Sequence, residues 1–84
     1  MFFVYILHSS AFDKHYIGQT KDLQERLRHH NSGLDAFTKK YMPWSVLFYV
    51  AKETRTEAIS LERKLKNLSR ERRQEFINKY TRDY

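Results

Sequence analysis

Hydrophobic positions divide the first twenty residues into two short extended segments. The run from Phe2 to Leu7 contains aromatic and branched aliphatic residues, and the segment SSAFDK after it has the composition of a turn. A second short run, HYIGQT at 15–20, follows directly. We predict that these two runs form a β-hairpin.

The next pattern has a helical period and predicts a helix over about residues 22–32. Two leucines four positions apart share one face, and Asp22 with Glu25 forms a capping box at the start. Gly33 supplies a stop signal.

The middle of the chain changes from polar to apolar. Residues 34–43 are polar and basic without a clear period, so we predict a long surface loop in which Pro43 favours an extended Met42. Residues 44–51 are apolar apart from Ser45, which is typical of a strand covered on both faces. We therefore predict that this strand is the central one.

Two further helices are predicted at the end of the chain. Thr54 and Glu57 form a second capping box, after which apolar residues recur at helical spacing over about 55–68. Ser69 then caps a third helix with a short apolar face. The element order is β-β-α-β-α-α, with a three-stranded sheet whose faces the helices cover.

Composition narrows the class of protein. A chain of 84 residues is the size of one domain, and its 40% apolar and 15% aromatic content is enough for a core. The absence of cysteine excludes thiolate metal sites and is consistent with the cytoplasm. The apolar N-terminal run is too short for a signal peptide or membrane span. The net charge of +6 favours an anionic partner, with nucleic acid ahead of a membrane surface.

Arg26 and His30 are the first candidates for chemistry, because they lie four apart on one helix face beside the leucine stripe. We expect their polar ends to emerge at the edge of the core, where a guanidinium can bind a phosphate. A solvated arginine is the alternative, and Arg28 points elsewhere on the helix. His29 and His30 lie about 100° apart and do not chelate one metal together; a surface histidine is the default for each.

Glu62 is the carboxylate nearest the core in the second predicted helix. One such carboxylate can hold a hydrated Mg²⁺, which often takes only one or two protein carboxylates. The alternative is an exposed ion pair with Lys66, four residues later.

The two hairpin strands carry Tyr5 and Tyr16, whose phenols could face each other or the same helix. Both could equally be core aromatics with satisfied hydroxyls. Gly18, placed at the end of the second strand, is either a bulge or a position of close approach for a backbone or a phosphate.

Basic residues interleaved with aromatic ones form a candidate phosphate-tracking surface with stacking platforms. Solvated helix faces are the alternative, and Trp44 is better explained as core. The residues concerned are Lys39, Lys40, Arg63, Lys64, Lys66, Arg70, Arg72 and Arg73, with Phe37, Tyr41 and Trp44.

The order of four segments carries a family resemblance. VYIL at 4–7, YIGQT at 16–20, DLQERLRHHNSG at 22–33 and EAISLERKLKNLSR at 57–70 together resemble a GIY-YIG nuclease domain, particularly the small single-domain YhbQ-like (UPF0213-type) group. The second signature is intact, whereas the first keeps only its tyrosine. The resemblance covers nearly the whole chain and implies an α+β fold with a three-stranded antiparallel sheet flanked by helices.

The resemblance also implies an activity, a Mg²⁺-dependent endonuclease in which Mn²⁺ can substitute and no small-molecule cofactor is used. The substrate expected is nucleic acid, DNA ahead of RNA, cleaved with low sequence specificity, in repair or in the processing of unusual structures. A non-catalytic nucleic-acid-binding module on the same fold is the alternative, and a small interaction protein whose charge is incidental is a third.

Site roles follow from motif position within that resemblance. Tyr5 and Tyr16 match the signature tyrosines, Arg26 the phosphate-binding arginine, His30 the polar residue of the HN turn, and Glu62 the metal ligand. The family's late asparagine is either Asn67 or Asn78. Tyr5, assisted by Tyr16, is expected to take a proton from water if nearby positive charge lowers its pKa from about 10. His30 either assists this proton transfer or orients a phosphate.

Overall fold

The structure is a computed structural model that describes residues 1–83, with side chains to residue 81. Its elements follow the predicted order, and every predicted strand and helix is present. They are β1 (Phe2–Ser9), β2 (Lys14–Thr20), α1 (Leu23–Asn31), a 3₁₀ helix (Thr38–Tyr41), β3 (Ser45–Lys52), α2 (Arg55–Asn67) and α3 (Arg70–Asp83).

The sheet has the strand order β2-β1-β3, and both strand pairs are antiparallel. The prediction that residues 44–51 form the central strand is therefore wrong. β1 is central, and its residues 4–7 are at most 1% exposed, whereas β3 is an edge strand on which Tyr49 is 56% exposed. A continuous apolar run indicates that both faces of a strand are covered. It does not indicate whether one or both edges of that strand pair with other strands.

Alternation along β1 sends neighbouring side chains to two different cores. On one face, Val4 and Ile6 pack with α2 and α3. On the other face, Tyr5 and Leu7 pack with Trp44 and with the leucines of α1. The helices thus cover both faces, and the side of the sheet facing α1 receives the tyrosine.

The three predicted helix caps are confirmed. Asp22, Thr54 and Ser69 each accept a hydrogen bond from the backbone N–H three residues later, at 3.1, 3.2 and 3.2 Å. Each such cap stabilises its helix by about 1 kcal/mol. Gly33, with φ of +81°, lies just beyond α1 in a conformation that glycine adopts readily.

Residues 34–43 do not form the featureless loop that we predicted. The Asp35 carboxylate accepts hydrogen bonds from the backbone N–H groups of Phe37 and Thr38, at 2.9 and 3.0 Å, and this starts the 3₁₀ helix. Thr38 is completely buried, and its carbonyl accepts the Trp44 indole N–H at 2.9 Å. Trp44 is 4% exposed, which confirms it as core.

Arg73 attaches α3 to the rest of the fold. Its guanidinium donates to the carbonyls of Leu65 and Leu68, at 3.2 and 3.1 Å, and lies 2.9 Å from Nδ1 of His15. These contacts satisfy carbonyls at the end of α2. In the part of the chain that the structure describes, no helix combines the length and apolar character needed to cross a bilayer.

Candidate active site

Tyr5 is the centre of the site, and Gly18 makes room for it. The two residues face each other across the β1–β2 pair, and a Cβ on Gly18 would lie 2.6 Å from the Tyr5 hydroxyl oxygen. Gly18 lies within β2 and does not end it, so that part of the prediction is wrong. The absent side chain instead lets the phenol lie flat across the neighbouring strand.

A buried hydrogen-bond chain runs from Tyr5 through His30 to Thr38. The Tyr5 hydroxyl lies 3.2 Å from Nε2 of His30, and Nδ1 of His30 lies 2.9 Å from Oγ1 of Thr38. His30 is completely buried, so the prediction of a surface histidine is wrong. The face of α1 that carries it packs directly on the sheet, where both ring nitrogens find partners.

The surroundings favour one tautomer of His30. The Asp35 carboxylate lies beside the Thr38 hydroxyl, and hydrogen bonding, first from the Thr38 backbone, lowers the pKa of Asp35. An ionised Asp35 attracts the Thr38 hydroxyl hydrogen and leaves an Oγ1 lone pair to accept Nδ1–H of His30. Nε2 is then the acceptor for the Tyr5 O–H.

Burial, followed by the charge of Arg26, lowers the pKa of His30, so the ring is neutral near pH 7. A neutral ring with a free Nε2 lone pair can receive a proton from Tyr5. His30 can therefore accept the phenolic proton of Tyr5 within the core.

Arg26 lies beside the hydroxyls of both signature tyrosines. Its pKa is raised by its interaction with Tyr5 first, with Tyr16 contributing as well. Arg26 is partly buried, as predicted for a position at the edge of the core. Arg28, in contrast, is exposed and pairs with Glu25 at 2.6 Å, which confirms it as the solvated arginine.

The pKa of Tyr5 is raised, so the condition that we stated for proton abstraction, a pKa lowered by nearby positive charge, is not met. Burial is the largest cause, and it outweighs the lowering by Arg26. Tyr16 and Glu62 add smaller contributions in the raising direction. The phenol therefore releases a proton only to a partner that is already in place, and His30 is that partner.

Tyr16 stands beside the buried chain and faces outward. Its ring centroid lies 6.5 Å from that of Tyr5, with the rings stacked, and 4.8 Å from that of His30. The two rings thus stack on each other and both contact His30 of α1, so the two arrangements that we considered occur together. Tyr16 is partly exposed, whereas Tyr5 is 1% exposed.

Glu62 approaches the site from α2. Its side chain is 20% exposed, and Oε2 accepts a hydrogen bond from Nζ of Lys66 at 2.7 Å, which confirms the ion pair that we considered. Besides burial, its charge is among those that raise the pKa of Tyr5, so the two groups share one electrostatic environment. Glu62 can therefore pair with Lys66 and also belong to the candidate site.

The residues around Glu62 fit a hydrated divalent ion. A pocket of about 240 Å³ beside the carboxylate is also lined by Gln19 and Asn67, whose amides offer further oxygen donors. Within the described side chains, no group of three or more His, Cys, Asp or Glu residues converges on one point. One carboxylate with space for water suits Mg²⁺ and does not suit a metal that needs several protein ligands.

The candidate basic residues are distributed over three regions. Lys39 and Lys40 are exposed on the 3₁₀ helix, and Arg63 and Lys66 line the pocket of Glu62. Arg70 donates to the backbone and side chain of Asp13, at 2.6 and 2.5 Å. Arg70 is thus already held by the hairpin turn, whereas Arg63 and Lys66 lie beside the carboxylate and Lys39 and Lys40 lie on the 3₁₀ helix.

Sequence reasoning missed Thr38 and Asp35. Both lie in the segment without a period, where no helical or strand pattern marks a buried side chain. Asp is a favoured residue at helix starts, so Asp35 could have indicated the 3₁₀ turn. Nothing local indicates that the threonine hydroxyl meets a histidine eight positions earlier in the chain.

Comparison with known proteins identifies the family of this chain. A family model described as the GIY-YIG catalytic domain matches residues 1–80. A UPF0213 protein of Bacillus velezensis is 37% identical over 68 residues, which cover 80% of this chain and 69% of that protein. A UPF0213 protein of Haloquadratum walsbyi is 32% identical over 80 residues, covering 94% and 89%.

A solved structure has the same fold. The solution NMR structure of a UPF0213 protein from Bacillus halodurans is similar with a TM-score of 0.60 and 30% sequence identity. The similarity covers 93% of this chain and 84% of that one. The predicted α+β fold class and the resemblance noted in the sequence are both confirmed.

Proposed function

Since this chain belongs to the GIY-YIG family of nuclease domains, in its UPF0213 group, we propose that it is a metal-dependent endonuclease that hydrolyses phosphodiester bonds of DNA. The observation that carries the proposal is the contact of Tyr5 with both a cation and a proton acceptor. Arg26 lies beside its hydroxyl, and His30 Nε2 is 3.2 Å from it. A phosphodiester nuclease needs a positive charge beside the phosphate and, next to it, a group that removes the proton of the attacking water.

Proton transfer begins at the buried phenol. As Tyr5 takes a proton from the attacking water, its own hydroxyl proton passes to Nε2 of His30. Thr38 holds the opposite ring nitrogen, at 2.9 Å, and keeps Nε2 free to accept. This order of events avoids a free phenolate, which the raised pKa of Tyr5 disfavours.

Arg26 has the geometry of a phosphate clamp. The planar guanidinium can bind two phosphate oxygens at once and neutralise charge as the phosphorus becomes five-coordinate. Because Tyr5 is 1% exposed, the water reaches its hydroxyl when Arg26 turns from the phenol toward the phosphate. Substrate binding and activation of Tyr5 are thereby coupled.

Glu62 would hold the divalent ion, Mg²⁺ or Mn²⁺, which supplies Lewis-acid stabilisation of the leaving oxygen when bound. Lys66 must release the carboxylate for this, and its 52% exposure leaves it free to do so. The residues proposed for DNA contact are Lys39, Lys40, Arg63, Lys66 and Arg70. They would contact phosphates, which favours low sequence specificity.

The test is Glu62→Gln in single-turnover cleavage of labelled DNA across a Mg²⁺ titration. The change removes the anionic ligand and keeps the size and helix propensity of the residue. We expect cleavage to be lost while DNA binding is kept or tightened, because a negative charge near phosphate disappears. Glu57→Gln, on an exposed turn at the start of α2, is the control and should cut like the parent.

Melting temperatures of all three proteins exclude unfolding as the cause. Cleavage by Glu62→Gln at the parent rate, at every Mg²⁺ concentration, would show that Glu62 is not the metal ligand. A parent protein that binds DNA but cuts none of a panel of single-stranded, duplex and branched substrates would replace the nuclease with a binding module on the same fold.

A further inference from the structure

Three aromatic rings form a surface patch next to the site, which we name the aromatic platform. It consists of Phe12 from the hairpin turn and of Phe37 and Tyr41 from the 3₁₀ segment. Phe12 and Phe37 are each 53% exposed. Phe37 belongs to neither of the buried hydrophobic clusters in the described part of the chain, so core packing does not account for it.

The platform is continuous with the catalytic tyrosines. The ring centroid of Phe37 lies 6.3 Å from that of Tyr16 and 5.5 Å from that of Tyr41. Tyr41 in turn lies 5.4 Å from Phe12. Because Tyr16 also contacts His30, the rings of Phe37 and Tyr16 would connect a group that stacks on Phe37 to the proton acceptor.

Positive charge accompanies these rings. Nζ of Lys14 lies 5.0 Å from the centroid of the Tyr41 ring, a cation–π distance. Lys39 and Lys40 are exposed on the same 3₁₀ helix as Tyr41. Exposed rings among lysines match a partner with flat apolar groups on a negatively charged backbone, which describes a nucleic-acid strand better than it describes an apolar peptide.

We propose that the aromatic platform binds unpaired bases of single-stranded DNA, next to the phosphate that Arg26 holds. The proposal deepens the nuclease function and rests on it for the position of the cut. In a duplex, each base stacks on its neighbours inside the helix and offers no free face to a protein ring. Only an unpaired base can stack on Phe37, so the platform selects single-stranded segments over continuous duplex.

The experiment measures binding by fluorescence anisotropy with a chelator present, so that no cleavage is needed. The probes are a short labelled single-stranded DNA and the blunt duplex of the same sequence. The variant is Phe37→Ala. Its matched control is Tyr49→Ala, an aromatic residue of nearly equal exposure, 56%, on the edge strand β3, where its ring lies 6.3 Å from that of Phe3.

We expect Phe37→Ala to weaken single-strand binding roughly tenfold, as the loss of one stacked base does in other single-strand binders. Duplex binding, which depends on phosphate contacts, should change little. Tyr49→Ala should leave both affinities at the parent values. Melting temperatures confirm that all three proteins are folded.

Equal losses for single strand and duplex, or no loss for either, would overturn the proposal, as would an equal loss in Tyr49→Ala. These outcomes do not depend on catalysis. A parent that binds single strands through Phe37 but never cuts them refutes the nuclease and keeps the platform. A parent that cuts while Phe37→Ala binds like the parent refutes the platform and keeps the nuclease.

Discussion

Replacing Thr38 with valine tests whether the buried hydrogen-bond chain directs the proton of Tyr5. Valine has nearly the β-branched shape of threonine, so the volume of a completely buried residue is kept and the loss of the hydroxyl is the main change. Nδ1 of His30 then loses the oxygen that lies 2.9 Å away. The variant removes the bonds of the Thr38 hydroxyl to His30 and to Asp35, and it leaves Tyr5, Arg26 and Glu62 unchanged.

Two magnitudes follow from that loss. An unsatisfied buried donor lowers the free energy of unfolding by about 1–3 kcal/mol, which for a chain of this size reduces the melting temperature by roughly 5–20 °C. The preference for the Nδ1–H tautomer also falls by about 1 kcal/mol, the net value of an ordinary hydrogen bond. His30 then donates to Tyr5 for part of the time. With a preference of about 1 kcal/mol abolished, the reactive tautomer falls from about 85% to about 50% of the population, so we expect the cleavage rate to fall about twofold.

The assay is single-turnover cleavage as a function of pH, beside thermal unfolding. Activity requires neutral His30, so its acid limb reports the pKa of that ring, which burial and Arg26 lower in the parent. An imidazolium without an acceptor for Nδ1–H is harder to form, so the acid limb of Thr38→Val should move to lower pH. A purely structural role for Thr38 would lower the melting temperature and leave the limb in place.

Thr38→Ser is the matched control because it keeps the hydroxyl and removes a buried methyl group. Loss of the methyl lowers the free energy of unfolding by about 1 kcal/mol. Serine should therefore be less stable than the parent and yet retain its rate and acid limb. If valine cuts as fast as the parent with an unmoved acid limb, or if serine loses as much rate as valine, the relay is refuted.

Further expectations concern three other positions. Arg26→Lys keeps the charge but loses the planar fork, so single-turnover cleavage should fall far more than DNA affinity in the same buffer; equal losses would reduce Arg26 to a docking residue. Gly18→Ala should displace the Tyr5 ring, so the free energy of unfolding should fall by about 1–3 kcal/mol, seen as a lower melting temperature, and most cleavage should be lost. A stable, active alanine variant would contradict the close contact. Burial, followed by Arg70 and Arg73, lowers the pKa of His15 to about 4, below its unfolded value of about 6.5. The stability that neutral His15 contributes is therefore complete above pH 6.5 and is lost as the pH falls toward 4. Between pH 7 and pH 5 the free energy of unfolding should fall by about 1 kcal/mol from this cause, after a discount for solvent screening. Urea unfolding should show a smaller fall for His15→Gln than for the parent. The same fall in both proteins would refute the role of His15.

Local signals in the sequence were sufficient for the three strands and the three α-helices, although not for the 3₁₀ helix. The caps at Asp22, Thr54 and Ser69 act within three residues of themselves, so spacing alone revealed them. The choice of central strand depended on pairing between distant segments, and apolar content does not encode pairing. This is why β3 was placed at the centre of the sheet when it lies at the edge.

The candidate site divides in the same way. Arg26 was found because helical spacing and motif order both pointed to it. The burial of His30 and the raised pKa of Tyr5 depend on three segments meeting: the face of α1, the central strand and Thr38 from a segment without a period. A burial or a pKa that depends on contacts between distant segments cannot be predicted from any one of those segments.

The location of Tyr5 inside the core also bears on how relatives of this protein can diverge. Its ring packs with Leu7 and Trp44, so selection for folding alone preserves an aromatic ring at this position. Only the hydroxyl group is under selection for the proposed proton transfer. A lineage that abandoned proton transfer would drift to phenylalanine here without losing its fold, and that single-atom difference would separate inactive descendants from active ones more reliably than overall similarity.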